Sequence, residues 1–377
     1  MLNRIYIDNF RSLVNFELSF DSINLFLGAN GSGKSTVFDA LNKVKNLILG
    51  TFKVENLFSE SDCCRWQTSK AHNFELEIDG NGGKYKYELS IQYKEYQYTG
   101  AGHQEPSIAY ERLWFNNKPL LIFDLGTVST YNDEYEETAR LTEFSPSQSV
   151  LSLFSPPLNK KLMWFKGCIM RLIVVQITPS SMIDIIYQES SFISQKMENY
   201  VSWYRYLSQD QGKIFELINV FREVLDNFSS FKFENVSKTS YVLKLTFENE
   251  FDNKKTIEYN FNELSDGQKV IIALYTLIYA TQDEDYTLCI DEPENFLALP
   301  EVQPWLDRLY DFCSERKLQA LLISHHPKLI NFLAADSGYW FERKGNSPVR
   351  VKRINDEDDT GLPISDLVER GWLYDPE

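Results

Sequence analysis

The chain has 377 residues, 43% of them hydrophobic and 14% aromatic, enough apolar material for one large domain or two intertwined lobes. Its 54 acidic and 38 basic side chains leave a formal charge of −16, which repels phosphate backbones at long range. That balance excludes a generally basic nucleic-acid surface, so any such contact needs a local basic patch or a partner protein.

In chain order, Arg4–Ile7 alternates as a strand, a turn follows at Arg11–Ser12, and a second strand covers Asn15–Phe20. A third, Ile23–Leu27, runs into Gly28. After Ser35, Val37, Leu41 and Val44 stand at helical spacing. The unit is strand, glycine-rich turn, helix. Phe74–Ile78 alternates strictly, Asp79-Gly-Asn-Gly-Gly turns, and Tyr85, Tyr87, Leu89 and Ile91 alternate again, which reads as a β-hairpin. Ile108–Phe115 and Leu120–Phe123 are further strands. Ser145–Asn159 is rich in Ser and Pro, a connection between lobes. Helices are expected at Met197–Leu207 and Ile214–Leu225, and strands at Phe231–Phe233, Tyr241–Phe247 and Thr256–Phe261. From Leu264 onward helix alternates with buried strand, an α/β pattern. The chain shows no sustained heptads and no internal repeat.

Cys63, Cys64, Cys168, Cys289 and Cys313 form neither a CxxC pair nor a metal-ligand spacing, and an odd count argues against a complete disulfide framework. Adjacent Cys63 and Cys64 read more simply as two packed thiols than as a redox pair. The N-terminus has no secretory apolar segment and no apolar run is long enough to span a bilayer. A soluble, cytoplasmic protein without membrane contact is expected.

Four segments carry chemistry. Gly28-Ala-Asn-Gly-Ser-Gly-Lys-Ser35 fits GxxxxGK[ST] at every fixed position. Its glycines let successive backbone N–H groups surround phosphate oxygens, and the following helix adds its positive end. Lys34 can reach the β and γ phosphates of a bound nucleotide, and the Ser35 hydroxyl can coordinate Mg²⁺. Thr287-Leu-Cys-Ile-Asp-Glu-Pro-Glu294 is an apolar strand ending in carboxylates. Asp291 is placed for the Mg²⁺ shell, and Glu292 for orienting and deprotonating a water. Leu264-Ser-Asp-Gly-Gln268 opens an apolar helix; Ser265 and the Gly267 N–H suit either an ordinary N-cap or an anion site. Leu321-Leu-Ile-Ser-His-His-Pro327 puts two of the four histidines at the end of a buried strand, where an imidazole could meet a γ-phosphate or simply support the turn. Nothing at ligand spacing suggests zinc.

In this order the segments resemble ABC-type ATPases of the RecF/SMC/OLD class. Arg4-Ile-Tyr-Ile-Asp-Asn-Phe-Arg-Ser12 is similar to that class's opening strand and turn. Gly28–Ser35 matches its Walker A motif, Leu264–Gln268 the ABC signature, Leu288–Glu292 Walker B, and Ile323–Pro327 the switch-histidine loop, with His325 the favoured switch residue. Within that class the chain looks most like the compact AAA-family ATPases of bacterial defence operons, including the ending Gly361-Leu-Pro-Ile-Ser365 through Arg370-Gly-Trp372. The resemblance differs after Asn295, where Ala298-Leu-Pro300 replaces a His-Pro pair common in relatives, and Gln176 is only a candidate for the Q-loop glutamine.

The resemblance implies an α/β ABC-ATPase head. Residues 1–59 and 256–377 would form the nucleotide-binding core, and 60–255 an inserted antiparallel β subdomain and helical lobe. It implies binding of ATP and Mg²⁺, with Gly28, Asn30, Gly31, Gly33, Lys34, Ser35 and Thr36 around the phosphates and Ser35 and Asp291 on the metal. Lys34, Glu292 and His325 would be catalytic. Two heads would face each other, so that Ser265 and Gly267 of one complete the site of the other, in a homodimer or higher oligomer.

Three functions then compete. The first is an ATP-switched dimer controlling an effector in antiviral defence, a nuclease above all. Only about 50 residues follow Pro327, too few for an added domain of typical size, so the effector is expected in trans. The second is a RecF-like DNA-binding repair ATPase, for which Arg350, Lys352 and Arg353, with the Lys160-Lys161 pair, offer a small basic patch. The third is a transporter ATPase subunit. It ranks last, because Asp266 replaces the usual signature glycine and Gly28 and Leu264 lie much farther apart than in transporters.

Overall fold

The computed structural model describes residues 1–94, 105–154, 159–249, 256–281, 285–316, 318–354 and 362–371. His103, residues 155–158 of the Ser/Pro-rich connection, and Gly361 and Trp372 of the ending lie outside them. The chain divides into two compact units. One comprises Met1–Leu172 and the segment beginning at Asp336; the other comprises Ile173–Ala335 and the C-terminal helix.

The first unit holds an eight-stranded antiparallel sheet. Its order is Phe16–Ser19, Leu2–Asp8, Ala71–Gly80, Gly83–Lys94, Glu105–Phe115, Lys118–Asp124, Thr127–Tyr131 and Glu137–Leu141. Alternation decides which face is buried: His72, Phe74, Leu76 and Ile78 point inward on one strand, Tyr85, Tyr87, Leu89 and Ile91 on the next. The two strands pair Gly80 with Gly83 around Asn81 (φ 53°) and Gly82 (φ 76°). Two successive positive φ values match the right-handed twist of a two-residue hairpin, which is why an Asn-Gly turn stands there.

Glu111 is fully buried in this sheet. It accepts hydrogen bonds from the Tyr87 hydroxyl (2.9 Å), the Ser149 hydroxyl (2.5 Å) and the Val150 N–H (2.7 Å), while burial raises its pKa. Cys64 is buried and donates its N–H to Asn9 Oδ1; the half-buried Cys63 thiol is pushed up to about 11 by burial.

The same unit carries Ile23–Leu27, all five residues buried. This strand pairs in parallel with Gly338–Glu342, Trp340 opposite Leu27, and Gly338–Glu342 pairs antiparallel with Arg350–Arg353. The helix Lys34–Leu49 follows, burying Val37, Leu41 and Val44 as their spacing requires.

In the second unit, Tyr286–Asp291 pairs in parallel with Leu318–Ile323, Asp291 opposite Ile323. Leu318–Ile323 is buried at every position, the pattern of a parallel strand covered on both faces. The helix Asp266–Thr281 is buried on all sides from Lys269 to Thr281, and Thr276 Oγ1 lies 2.8 Å from the Tyr200 hydroxyl. A smaller antiparallel sheet centres on Tyr241–Glu248, which pairs with Phe228–Asn235, Thr256–Asn260 and, at its start, Ile185–Ile186. The expected helix at Met197–Leu207 begins at Tyr200, because Met197 sits at φ 60° and cannot join a right-handed helix. Residues 211–224 form the other expected helix.

Candidate phosphate loop and carboxylate turn

The first unit presents the glycine-rich loop. Three of its glycines take positive φ: Gly28 at 139°, Gly31 at 78° and Gly33 at 102°. Position 28 also has no room for a side chain. A Cβ there would stand 2.2 Å from the Phe341 carbonyl oxygen, so the loop's first turn lies directly against the neighbouring strand. At Gly33 a Cβ would meet Val349 Cγ2 at 2.6 Å. Strand and loop are thus pressed together where the helix begins.

Gly33 is the N-cap of Lys34–Leu49. It offers no side-chain acceptor, and no acidic residue stands in the first turn. The helix end therefore keeps its positive character for an outside anion. Lys34 is only 6% exposed and folds back over the loop, donating from Nζ to Gly28 O at 2.6 Å and Ala29 O at 3.1 Å. Ala29, Asn30, Gly31 and Ser35 are exposed and Thr36 half-buried. A close-packed backbone cradle, a helix whose N-cap is a glycine and a buried lysine folded over the loop there fit a phosphate chain.

The second unit brings the carboxylate turn and the histidine turn together. Glu292 takes φ 52°, donates its N–H to Ile323 O at 2.9 Å, and accepts from Asn295 Nδ2 at 2.7 Å. Glu294 reaches the other turn, accepting from Ser324 Oγ at 2.6 Å and from the His325 N–H at 3.2 Å. His325 is exposed. His326 Nδ1 accepts from the Lys328 N–H at 3.2 Å, and burial lowers its pKa, with Lys328 adding to the effect. Gln176 is exposed just past the strand Leu172–Val175.

The start of Asp266–Thr281 belongs to this unit too. Ser265 and Gln268 cap it reciprocally, and a Cβ on Gly267 would lie 2.9 Å from the Phe296 carbonyl. The Leu264–Gln268 turn therefore packs against the loop that follows the carboxylates. Sequence reasoning gave no role to Glu294 or Ser324, although both stand inside quoted motifs. Their bond spans 30 residues, and no local spacing signals it.

Among the described residues, no group of three or more His, Cys, Asp or Glu could hold a metal ion, and no helix is long and apolar enough to cross a membrane.

The sequence model described as "AAA ATPase domain" matches residues 1–148. The one described as "AAA domain, putative AbiEii toxin, Type IV TA system" matches residues 186–331. No curated protein sequence matches the chain significantly. Among solved structures, "Crystal structure of the SmcHead bound to the C-winged helix domain of ScpA" is similar with a TM-score of 0.52 at 14% identity, covering 94% of this chain and 98% of that one. The "SMC head domain from Thermotoga maritima" gives 0.45 at 13% identity, covering 94% and 99%. The fold is that of an SMC-head-like P-loop ATPase with mixed sheets, as expected from the sequence. Both family matches describe AAA-type ATPase domains, and they fall on the two motif-bearing regions of the chain.

Proposed function

We propose that the chain dimerises on ATP, hydrolyses it with Mg²⁺, and so controls a partner effector, most simply a nuclease, in bacterial antiviral defence. The observation that carries the nucleotide part is the loop itself: positive-φ glycines pressed against Phe341 and Val349, ahead of a helix whose N-cap, Gly33, has no side chain to offer. In this reading residues 1–59 and 256–377 are the nucleotide-binding core and 60–255 an insertion.

The N–H groups of Asn30, Gly31, Gly33, Lys34, Ser35 and Thr36 take the phosphates, with Gly28 allowing the turn. Lys34 leaves its carbonyl partners for the β and γ phosphates. Mg²⁺, when bound, neutralises charge on phosphate oxygens; Ser35 and Asp291 are its protein ligands, since this ion takes few of them. Glu292 orients a water and accepts its proton, and His325 senses the γ-phosphate. The exposure of His325 supports that choice. Ser265 and Gly267 of a second copy complete the site, which makes ATP the joint between heads.

Two comparisons support a partner. The SmcHead structure holds a domain of another protein, ScpA, and the AbiEii description links the second matched region to toxin–antitoxin systems. A RecF-like DNA-binding role is the second reading. The exposed strand Arg350–Arg353 favours it, but Arg353 is committed to Asp21 at 2.8 Å and the net charge of −16 opposes it. The test is to mix the purified chain with the product of a neighbouring nuclease gene. Nuclease activity that arises only in the mixture and responds to ATP is expected. DNA cleavage by the chain alone contradicts the proposal.

A further inference from the structure

Glu294 ends the acidic turn, and the roles assigned so far leave it out. Its carboxyl points away from solvent. Oε1 takes two hydrogen bonds, from the Ser324 hydroxyl at 2.6 Å and the His325 N–H at 3.2 Å. Oε2 is buried and makes no hydrogen bond among the described residues. Ser324 Oγ also accepts from the His326 N–H at 3.0 Å, so one hydroxyl links the carboxyl to the next residue of the turn. A separate bond, Glu292 N–H to Ile323 O, joins the backbones of the same two turns.

The arrangement has a chemical consequence. A carboxylate with one oxygen buried and unsolvated is costly, whereas a neutral acid keeps Oε1 as a carbonyl acceptor for both donors. Burial, with the nearby Glu292 charge, raises the Glu294 pKa against the pull of Ser324 and the backbone donors. A neutral acid with an accepting Oε1 has the hydrogen-bonding shape of glutamine on that side.

We propose that Glu294 is a positioning residue that clasps the His325 turn to the Glu292 turn, so that neither moves without breaking bonds to Oε1. The proposal rests on the ATPase reading above. Glu294 touches neither phosphate nor water in that reading; it acts through its two neighbours. Loosening the clasp lowers turnover, while nucleotide affinity, set in the phosphate loop, stays.

The experiment compares wild type, Glu294→Ala, Glu294→Gln and Ser324→Ala in steady-state ATP hydrolysis, ATP binding, thermal melting and amide hydrogen exchange. In Glu294→Ala, kcat falls by about tenfold or more, while KM and nucleotide Kd stay within about threefold. Exchange at the amides of His325, His326 and Lys328 speeds up. Glu294→Gln keeps the carbonyl acceptor and restores at least about a third of kcat with slow exchange. Ser324→Ala loses one of the two bonds and falls between, which keeps the test decisive if the alanine at 294 does not fold.

Equal losses in the Gln and Ala variants overturn the clasp. So does unchanged exchange in Glu294→Ala, or a fall in binding that matches the fall in kcat. A folded wild type that binds ATP without hydrolysing it overturns the ATPase reading instead, and the exchange measurement then decides the clasp by itself.

Discussion

Ser265 and Gln268 bond each other in both directions. Gln268 Oε1 accepts from the Ser265 N–H at 3.0 Å and from its hydroxyl at 3.1 Å, and the Gln268 N–H donates to Ser265 Oγ at 3.2 Å. This is a capping box at the head of a helix buried on all sides. The residue assigned to the ATP of a second copy is therefore also the residue that starts its own helix.

The two roles separate by mutation. Ser265→Ala removes the cap and is expected to cost about 1 kcal/mol of stability, and also to abolish ATP-dependent self-association. Gln268→Ala breaks the reciprocal half of the box, costs about 1 kcal/mol or less, and leaves self-association in place. Urea melts and gel filtration with ATP read both effects.

At the phosphate loop, Lys34→Ala removes a buried ammonium held by Gly28 O and Ala29 O. ATP affinity is expected to fall by about a hundredfold, roughly 3 kcal/mol, the scale of a lost charged hydrogen-bond donor. Gly28→Ala forces a Cβ to within 2.2 Å of Phe341 O at φ 139° and is expected to destabilise the fold by more than about 2 kcal/mol. Calorimetric titration with ATP checks the first, and chemical denaturation the second.

His72 contributes to acid stability. The ring is buried among Phe10, Phe58 and Phe74, with Nδ1 2.6 Å from Asn9 O and Nε2 2.8 Å from the Tyr93 hydroxyl. Burial lowers its pKa below 6.5. The unfolded chain then binds a proton that the folded chain refuses. The stability tied to this ring is full above 6.5 and is lost as the pH falls through the folded value. His72→Phe is less stable than wild type at neutral pH, because Asn9 O and the Tyr93 hydroxyl lose their partner. The gap between the two closes as the pH drops below 6.5. Urea denaturation across that range is the measurement, and a gap that stays constant or widens contradicts the assignment.

The sequence exposed the loop and strands that carry the motifs because local rules fix them. Ile23–Leu27 is apolar except at Asn24, the glycines need positive φ, and Val37, Leu41 and Val44 share one helix face. Other elements left no such mark. Glu137–Leu141 is exposed at every position, so no alternation reveals it as a strand. Thr127–Tyr131 is short and mostly half-buried for the same reason. The Glu294–Ser324 bond and the contact of Gly28 with Phe341 join residues far apart in the chain. Such pairings come from tertiary packing, which residue spacing does not encode.

The central claim is that ATP joins two heads. Light scattering of Glu292→Gln with ATP tests it most directly. Without its water-orienting carboxylate the variant is expected to bind ATP, hydrolyse it slowly and accumulate as a dimer, or as a larger assembly built from dimers. A species that stays monomeric at saturating ATP, or turnover equal to wild type, contradicts the account.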